Sequence, residues 1–264
     1  MVVVLLYEDD IILTDSNYDE IARLQDEISL RFEMKKLGEL GTFLGLPIEN
    51  FEKCLFVSQI NYAKKLIDKF GMTDEKKSYT PLNVNPRLSR DEGTCLPDIR
   101  LYRALVGSLI YLTIKRPDIV YAAGVVSCYM QDPRKPHFEE VKKILKYINT
   151  SLDIGLLYEK DAKFVLQGFA DTDFAGDRDD HKSTSGLFFF VETLAYLGVD
   201  GNKDRTKHIE LEHHFIREKV LVGIIEMVVV RSEDNDVDIF TKALPKGPFE
   251  GLRSKLELVH RTSL

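Results

Sequence analysis

The stretch that decides the fold lies almost at the start of the chain and reads Val2-Val3-Val4-Leu5-Leu6-Tyr7-Glu8-Asp9-Asp10-Ile11-Ile12-Leu13-Thr14. Five apolar residues run into a polar turn and three more run out of it, a pattern that predicts two short buried strands joined tightly. Aspartate suits such a turn because its side chain accepts hydrogen bonds from nearby backbone. On these residues alone, an ordinary hairpin with a solvated acidic tip is the simplest interpretation.

Composition sets the class of protein. The chain has 264 residues, of which 44% are apolar and 30% charged, as in a globular protein with one large or two small domains. A net charge of -7 argues against a strongly basic nucleic-acid surface, although a local groove could still be positive. The three cysteines, Cys54, Cys95 and Cys128, form neither a disulfide framework nor a zinc pattern, which indicates a reducing compartment.

No segment carries a targeting signal. The apolar start is too short for the core of a signal peptide and is followed by acidic residues. Val220–Val230 is interrupted by Glu226 and falls short of the roughly 20 residues that a membrane-spanning helix needs. The sequence therefore predicts an intracellular protein without a signal peptide or a transmembrane segment.

Helix and strand signals alternate over the first part of the chain. Ser16-Asn17 can cap a helix, Cys54–Gln59 is typical of a strand, and a second helix follows that stops at Gly71. This order predicts an α+β layer. The apolar stripes are Ile21, Leu24, Ile28 and Phe32 in the first helix, and Tyr62, Leu66, Ile67 and Phe70 in the second.

The remainder predicts a helical middle followed by a second α/β layer. Thr73–Pro97 is polar, contains three prolines and lacks periodicity, so we expect a linker or a long surface loop there. The predicted helices are Ile99–Lys115, Asp118–Met130, Phe138–Ile148, Lys207–Val220 and a final helical region over Asp238–Leu258. The predicted strands are Ile154–Tyr158, Phe164–Phe169, Gly186–Val191 and Ile224–Val230.

Ten short motifs then appear in a fixed order. They are Tyr7-Glu8-Asp9-Asp10-Ile11-Ile12-Leu13-Thr14, Phe32-Glu33-Met34-Lys35-Lys36-Leu37-Gly38-Glu39-Leu40, Phe43-Leu44-Gly45, Tyr102-Arg103-Ala104-Leu105-Val106-Gly107-Ser108-Leu109-Ile110-Tyr111-Leu112, Arg116-Pro117-Asp118-Ile119, Pro133-Arg134-Lys135-Pro136-His137, Asp171-Thr172-Asp173-Phe174-Ala175-Gly176-Asp177, Ser183-Thr184-Ser185-Gly186, Arg205-Thr206-Lys207-His208-Ile209-Glu210 and Asp238-Ile239-Phe240-Thr241-Lys242-Ala243-Leu244-Pro245. Together they make the chain resemble the carboxy-terminal part of a copia-type retrotransposon Pol polyprotein, the portion with reverse transcriptase and ribonuclease H.

The resemblance implies an α+β fold in three parts. Residues 1–72 would be the carboxy-terminal part of the reverse transcriptase palm. Residues 73–153 would be a linker followed by the helical thumb and connection. Residues 154–264 would be a truncated ribonuclease H-like α/β domain.

For the polymerase site, the resemblance implies that Asp9 and Asp10 are magnesium ligands and that Tyr7 positions their hairpin. Glu8 departs from the family, in which a small or apolar residue is usual, and it adds a negative charge beside the pair. Only eight residues precede Asp9. We therefore expect the further carboxylate and most contacts to the incoming nucleotide (dNTP) to be missing, and polymerase activity to be absent from the chain on its own.

For the nuclease site, the resemblance implies that Asp171 and Asp238 match two of four magnesium ligands. Between Phe190 and Arg205 the family has several dozen further residues, comprising a strand, a helix with a catalytic Glu and a strand with an Asp. Here only 191–204 bridge that gap. We expect magnesium to bind weakly or not at all, because it demands near-octahedral oxygen coordination.

The expected function is therefore that of a polyprotein fragment, ancestrally an RNA-directed DNA polymerase with ribonuclease H, that is catalytically inactive on its own. Two alternatives stay open: a non-catalytic module that binds nucleic acid or protein, and a conceptual translation that never accumulates as folded protein. Two lysine groups could be residual contacts to an RNA or DNA template-primer, or simply solvated helix faces. They are Lys64, Lys65, Lys69, Lys76 and Lys77, and Lys142, Lys143 and Lys146.

Overall fold

The computed structural model describes residues 3–7, 10–14, 17–43, 45–72, 76–84, 86, 88–160, 166–173, 184–191, 194–200 and 237–264, with the strands between 166 and 200 described by their backbone. The chain forms two compact units, residues 1–48 and 49–264. Helices and strands occur in both, which confirms the predicted α+β class. The predicted domain boundaries after residues 72 and 153 concern ancestry and stay a prediction.

The first unit begins with the predicted hairpin, whose two strands are confirmed, but their predicted burial is wrong, because the first strand is exposed and the second is at most half-buried. Strands β1 (Val3–Tyr7) and β2 (Asp10–Thr14) pair in antiparallel fashion. Helix α1 (Tyr18–Ser29) follows, and the Asn17 side chain caps it by accepting the Asp19 N–H at 3.0 Å. Strands β3 (Thr42–Phe43) and β4 (Leu46–Asn50) form a second antiparallel pair, and β4 continues into the second unit.

One residue of the predicted apolar face of α1 lies outside the helix. The helix ends at Ser29, so Phe32 is exposed rather than part of the stripe. Ile21, Leu24 and Ile28 are half-buried on the helix, as their spacing predicts.

The second unit is built on helices packed beside a small antiparallel sheet. Its helices are α2 (Ile60–Lys69), α3 (Ile99–Leu112), α4 (Val120–Ser127) and α5 (Lys135–Thr150), with a short 3-10 turn at Pro117–Ile119. Its sheet has β6 (Ile154–Glu159) between β5 (Cys54–Val57) and β10 (Leu258–His260). The three central helices therefore form where their periodicity predicts them.

Glycine at position 155 lets the sheet close over an aromatic ring. A Cβ atom placed on Gly155 would lie 2.5 Å from the ring of Phe56 and 2.8 Å from the carbonyl oxygen of Val57. Both contacts are too close for any side chain, so Gly155 is required for β6 to lie against Phe56.

The carboxy-terminal residues complete the core of this unit. The predicted final helix over Asp238–Leu258 is wrong in its extent, because it is split into α6 (Asp238–Thr241), α7 (Lys246–Ser254) and the strand β10. Pro245 stands directly before α7, and Glu257 adopts a φ of 53°, which ends helical geometry before β10. The apolar residues buried with α3 and α5 are Val237, Ile239, Phe240, Phe249, Leu256 and Leu258.

A separate antiparallel meander lies between β6 and α6 in the chain. It consists of β7 (Leu166–Asp173), β8 (Thr184–Val191) and β9 (Leu194–Asp200), with β8 in the middle. Strand β9 is not among the predicted strands, because 191–204 are expected only to bridge a deletion. The predicted helix Lys207–Val220 and strand Ile224–Val230 lie outside the described residues.

The predicted linker is packed rather than free. The described part of 76–97 contains no helix or longer strand, yet Leu82 and Leu88 are buried. Its backbone is bound to α5, since the Ser78 N–H donates to Thr150 Oγ1 at 3.1 Å and the Asn83 N–H donates to Glu140 Oε2 at 3.3 Å. Two leucines in a polar stretch thus attach it to the helical unit. No helix among the described residues is long and apolar enough to cross a membrane.

A fully buried ion pair joins the elements of the second unit. The Arg116 guanidinium donates to both carboxylate oxygens of Asp118, at 2.9 and 2.8 Å, and to the carbonyl and hydroxyl oxygens of Ser151. The Tyr147 hydroxyl donates to Asp118 as well, and Arg253 from α7 donates to that hydroxyl at 3.4 Å. The chain after α3, helix α5 and helix α7 therefore meet at one set of hydrogen bonds.

Arg116 keeps the buried carboxyl group of Asp118 in its charged form. Burial opposes ionisation of Asp118, but the charge and hydrogen bonds of Arg116 outweigh it and hold the pKa of that carboxyl below its ordinary value. The stabilisation that follows is complete above the unfolded-state pKa of about 3.9. It is lost as the pH falls through the lower folded-state pKa.

We predict that Asp118→Asn lowers the free energy of unfolding by about 3–5 kcal/mol, because it leaves a buried guanidinium without its counter-charge. Urea denaturation at neutral pH measures the loss. The same variant should lack the acid-induced part of the stability loss seen in the unmodified chain. Asp68→Asn, an exposed position on α2, is the matched control and should change neither quantity. Equal stability of the two variants at neutral pH would contradict the prediction.

Candidate polymerase and nuclease sites

The hairpin holds the predicted polymerase residues. Tyr7 is the last residue of β1 and stands opposite Asp10, the first residue of β2. Asp10 is exposed, so a cation can reach its carboxylate. Asp9 lies between the two strands in sequence and outside the described residues. The carboxylate oxygens are of the type that magnesium prefers, so the donor chemistry at this turn fits the implied metal.

Tyr7 is positioned by a second motif. Its ring meets the ring of Phe43 edge to face, with centroids 6.1 Å apart and planes at 77°. Phe43 is the last residue of β3. Gly45 lies in the turn before β4 and has a φ of 74°, a left-handed conformation that favours glycine. The Phe43-Leu44-Gly45 motif thus brings an aromatic ring against the hairpin. No spacing in the sequence predicted this contact.

The predicted nuclease residues lie on elements that are brought together. Asp171 is in β7, opposite Gly186 of β8, and Asp238 is the first residue of α6. The backbone of α6 lies against both β7 and β8. Asp238 accepts a hydrogen bond from Lys242 Nζ at 2.9 Å, so its carboxylate is already neutralised by a cation. A metal at Asp238 would compete with that ammonium group for the carboxylate.

Acidic and histidine side chains do not converge elsewhere in the described ranges. Among the residues that the structure describes, no group of three or more His, Cys, Asp or Glu side chains could hold a metal ion. Asp10 of β2 and Asp238 of α6 therefore do not belong to a metal-binding group within the described ranges.

The two lysine groups have different surroundings. On α2, Lys64, Lys65 and Lys69 are exposed, and the described residues give them no ion pair. On α5, Lys142 is paired with Glu139 at 3.1 Å and Lys143 donates to the side-chain carbonyl of Asn83. Burial lowers the pKa of Lys143, with the Glu140 charge opposing that shift. The lysines of α2 are thus more exposed than those of α5.

An aromatic pair adjoins the lysines of α2. Tyr62, about one turn before Lys65 and two turns before Lys69 on the helix, meets Tyr111 of α3 with ring centroids 4.7 Å apart. Tyr111 and Ile114 are both exposed. We call the surface formed by Tyr62, Lys64, Lys65, Lys69 and Tyr111 the α2 face. The lysines were candidates from sequence, but the aromatic pair was not, because its members are far apart in the chain.

The longest motif of the resemblance serves helix packing. The Tyr102 hydroxyl donates to the carbonyl oxygen of Val126 at 2.7 Å inside the core. Arg103 donates to the carbonyl oxygens of Met130 and Gln131, beyond the end of α4. The apolar members Leu105, Val106, Leu109 and Leu112 are buried. This motif joins α3 to α4.

The Pro133–His137 motif fastens a loop to the start of α5. Nδ1 of the buried His137 accepts the Arg134 N–H at 2.9 Å, so Nε2 carries the proton and donates to the Ser89 carbonyl oxygen at 3.1 Å. The His137 ring stacks on Tyr129 at 3.8 Å. Gly93 approaches Pro136 so closely that a Cβ atom would lie 2.6 Å from its ring. His137 is therefore a structural residue.

The class of protein follows from the paired aspartates, the helical unit and the match of residues 1–84 to the family described as reverse transcriptase (RNA-dependent DNA polymerase). Two retrotransposon Pol polyproteins match nearly the whole chain. The one from transposon RE2 of Arabidopsis thaliana is 28% identical over 98% of this chain, and the one from transposon TNT 1-94 of Nicotiana tabacum is 28% identical over 94%. The chain belongs to the copia-type retrotransposon Pol polyprotein family and is a fragment of such a polyprotein.

The relatives differ greatly in length. The chain spans 22% of the RE2 polyprotein and 24% of the TNT 1-94 polyprotein. It spans 78% of the uncharacterized mitochondrial protein AtMg00810 of Arabidopsis thaliana, which is 38% identical over 71% of this chain. No solved structure gives a significant match.

We predict that His137→Leu lowers the free energy of unfolding by about 1–3 kcal/mol, because the buried Arg134 N–H and Ser89 carbonyl lose their partner. Trypsin should then cleave after Arg90 faster than in the unmodified chain, since the loop is no longer held. Lys135→Ala, an exposed neighbour on α5, is the control. Unchanged cleavage after Arg90 in His137→Leu would refute the structural role of the imidazole.

Proposed function

We propose that this chain retains binding of an RNA or DNA template-primer and lacks catalysis on its own. The observation that carries the proposal is the exposure of Lys64, Lys65 and Lys69 on one helix, without acidic partners among the described residues. Membership of a reverse transcriptase family supports a nucleic-acid template as the ligand. The α2 face is the proposed contact surface.

Charge explains why binding would be local and salt-sensitive. Each lysine that neutralises a phosphate releases condensed counterions, so affinity falls steeply as salt rises. The chain carries a net charge of -7, which repels a polyanion outside the α2 face. Lys142 and Lys143 contribute little, because Glu139 and Asn83 already hold their ammonium groups.

The aromatic pair supplies contacts that do not depend on charge. Rings such as Tyr62 and Tyr111 can stack on unpaired bases or lie against sugars, and stacking is tolerant of sequence. Tyr62 lies on the same side of α2 as Lys65 and Lys69, three and seven residues further on, so one nucleic-acid strand can meet the aromatic pair and these two lysines. This arrangement favours binding without sequence preference.

For the polymerase site, we propose that Asp9 and Asp10 keep the ancestral role of magnesium ligands and that Tyr7 positions their hairpin. Magnesium bound there would stabilise charge on the transferred phosphoryl group. The ring of Phe43 supports this proposal, because it fixes Tyr7 from one side. Two carboxylates on one turn do not make a complete site, so the chain would need a further acid from elsewhere in the polyprotein.

For the nuclease part, we propose that Asp171 and Asp238 are the remaining members of a four-acid site. The match to the RE2 polyprotein is 318 residues long, although 98% of this chain is only some 260 residues. The relative therefore carries several dozen residues with no counterpart here, which supports an internal loss. The Lys242 ammonium on Asp238 further disfavours metal binding.

A second candidate function is a protein-binding module derived from the retroelement. Its support is the mitochondrial protein AtMg00810, a short relative that this chain covers for 78% of its length. The helical unit also completes its core with its own carboxy-terminal segment, as a module that acts outside a polyprotein must. Failure to retain nucleic acid at any salt would favour this candidate.

We predict that the purified chain retains a labelled RNA–DNA hybrid at low salt and releases it at moderate salt. Replacing Lys64, Lys65 and Lys69 together by Gln should lower the slope of log affinity against log salt by about 2–3, the value for three phosphate contacts. A filter-retention titration over a salt series measures both quantities.

The matched control removes the same charge from other exposed positions, by replacing Arg31, Lys35 and Lys53 with Gln. It should leave the slope nearly unchanged. Equal loss of slope in both triple variants would show that binding follows net charge alone, and no retention at either salt would overturn the proposal.

We predict no magnesium-dependent primer extension and no cleavage of the RNA strand by the chain alone. Extension of a labelled primer and release of labelled RNA measure the two activities. Asp9→Ala and Asp171→Ala are the controls for contaminating enzymes. Extension that disappears in Asp9→Ala would refute the absence of catalysis and establish the hairpin as a working site.

A further inference from the structure

Lys115 carries a charge that the described part of the chain does not neutralise. The ammonium group of this half-buried residue donates to the hydroxyl of Tyr158 at 3.3 Å and lies 5.7 Å from the centroid of that ring. A tyrosine hydroxyl is neutral, so it orients the ammonium group without cancelling its charge. No carboxylate among the described residues pairs with Lys115. Its charge is therefore available to an anionic ligand.

Both polar groups of this pair act as donors toward such a ligand. Because the Tyr158 oxygen accepts from the ammonium group, the phenolic hydrogen points away from Lys115. The ammonium group keeps further N–H donors and has no acceptor of its own. None of these donors meets an acceptor within the described ranges. An oxyanion such as phosphate offers several acceptor oxygens and the opposite charge, which matches the pair. We call Lys115 and Tyr158 the Lys115 site.

A buried glutamine fixes the Lys115 site next to the aromatic pair of the α2 face. Gln59 Nε2 donates to the Tyr111 carbonyl oxygen at 3.0 Å, and Gln59 Oε1 accepts the Lys115 N–H at 3.2 Å. The backbone between Tyr111 and Lys115 stays helical, since the Arg116 N–H donates to the Leu112 carbonyl oxygen at 3.1 Å. Four helical residues span about 6 Å along the axis. Lys115 is therefore about one turn from the exposed ring of Tyr111.

We propose that the Lys115 site binds a backbone phosphate of the nucleic-acid strand that lies on the α2 face. The inference rests on the proposed function and adds a contact from the end of α3 and from β6 to those of α2. A base that stacks on Tyr62 and Tyr111 lies about one turn from Lys115, so its phosphate can reach the ammonium group. Glu159 follows Tyr158 on β6, but its side chain points to the opposite face of the sheet.

A second lysine–tyrosine pair shows the alternative arrangement. Lys246 Nζ lies 3.9 Å from the centroid of the Tyr79 ring, and it also lies 3.9 Å from Glu250 Oε1. This ammonium group thus has an acidic partner, whereas the one at Lys115 meets a neutral hydroxyl. The residue types and the aromatic contact are the same in both pairs. Lys246 and Tyr79 are therefore matched controls.

Acetylation of the unmodified chain tests the inference without any substitution. Peptide mapping measures the acetylation rate of each lysine with and without the RNA–DNA hybrid at low salt. With the hybrid at about ten times its dissociation constant, we expect Lys115, Lys65 and Lys69 to react about tenfold more slowly. Lys246 should react at the same rate. A parallel series replaces the hybrid by inorganic phosphate.

The acetylation pattern separates this inference from the proposed function. Slower reaction of Lys65 and Lys69 without any change at Lys115 would overturn the inference and leave the proposed function intact. If the hybrid slows no lysine, both fail. If inorganic phosphate protects Lys115 and the hybrid does not, the site takes a free anion, and the assignment to a backbone phosphate is wrong.

Two single variants separate charge from hydrogen bonding. Lys115→Gln should lower the slope of log affinity against log salt by about 0.9, the value for one phosphate contact. Tyr158→Phe keeps the ring and removes a neutral donor, so it should weaken retention by about tenfold at low salt and leave the slope unchanged. Filter retention of the labelled hybrid measures both quantities.

The controls and a double variant complete the experiment. Lys246→Gln and Tyr79→Phe should change neither the slope nor the affinity. In the double variant of Lys115 and Tyr158 the two losses should be less than additive, because both groups bind one phosphate. Equal effects at Lys115 and Lys246, or strictly additive losses in the double variant, would overturn the proposal.

Discussion

The second unit depends on the buried pair of Arg116 and Asp118. Two charges without solvent are costly, and here the cost is offset because the two side chains make two hydrogen bonds to each other and both also bind to α5. The guanidinium reaches the end of α5 through Ser151, and the carboxylate reaches the middle of α5 through Tyr147. Arg253 connects helix α7 to the same network by donating to the Tyr147 hydroxyl. Apolar packing alone would tolerate several helix positions, whereas this network admits one.

Local patterns predicted the local structure well. The hairpin, α1 with its Asn17 cap and the three central helices were evident from apolar periodicity and capping residues. The patterns failed where a distant contact decides the outcome. The final helix is interrupted because Glu257 turns the chain into β10, which needs β6 as a partner. The supposed linker is held by Glu140 and Thr150, which lie more than fifty residues away.

The candidate sites were predictable only in part for the same reason. Resemblance identified Tyr7, Asp10, Asp171 and Asp238, and the sequence identified two groups of lysines. Three-dimensional contacts decide what surrounds each charge. Lys142 and Lys143 bind Glu139 and Asn83, whereas Lys64 and Lys65 have no ion pair within the described part of the chain. Likewise, Arg116 and His137 belong to motifs that could be taken for functional ones, yet both side chains make hydrogen bonds that hold the fold together. A charged residue in a recurring motif is thus as often a fastening as a site.

The return of the carboxy-terminal residues to the helical core has a topological consequence. Because β10 pairs with β6 and residues 237–264 fill the same core as α3 and α5, the chain between β6 and α6 starts and ends at that core. The core fixes where this stretch begins, at β6, and where it ends, at α6, whatever its length. The entropy of closing such a loop changes only slowly with loop length. The stretch between β6 and α6 can therefore change greatly in length while the helical unit stays closed.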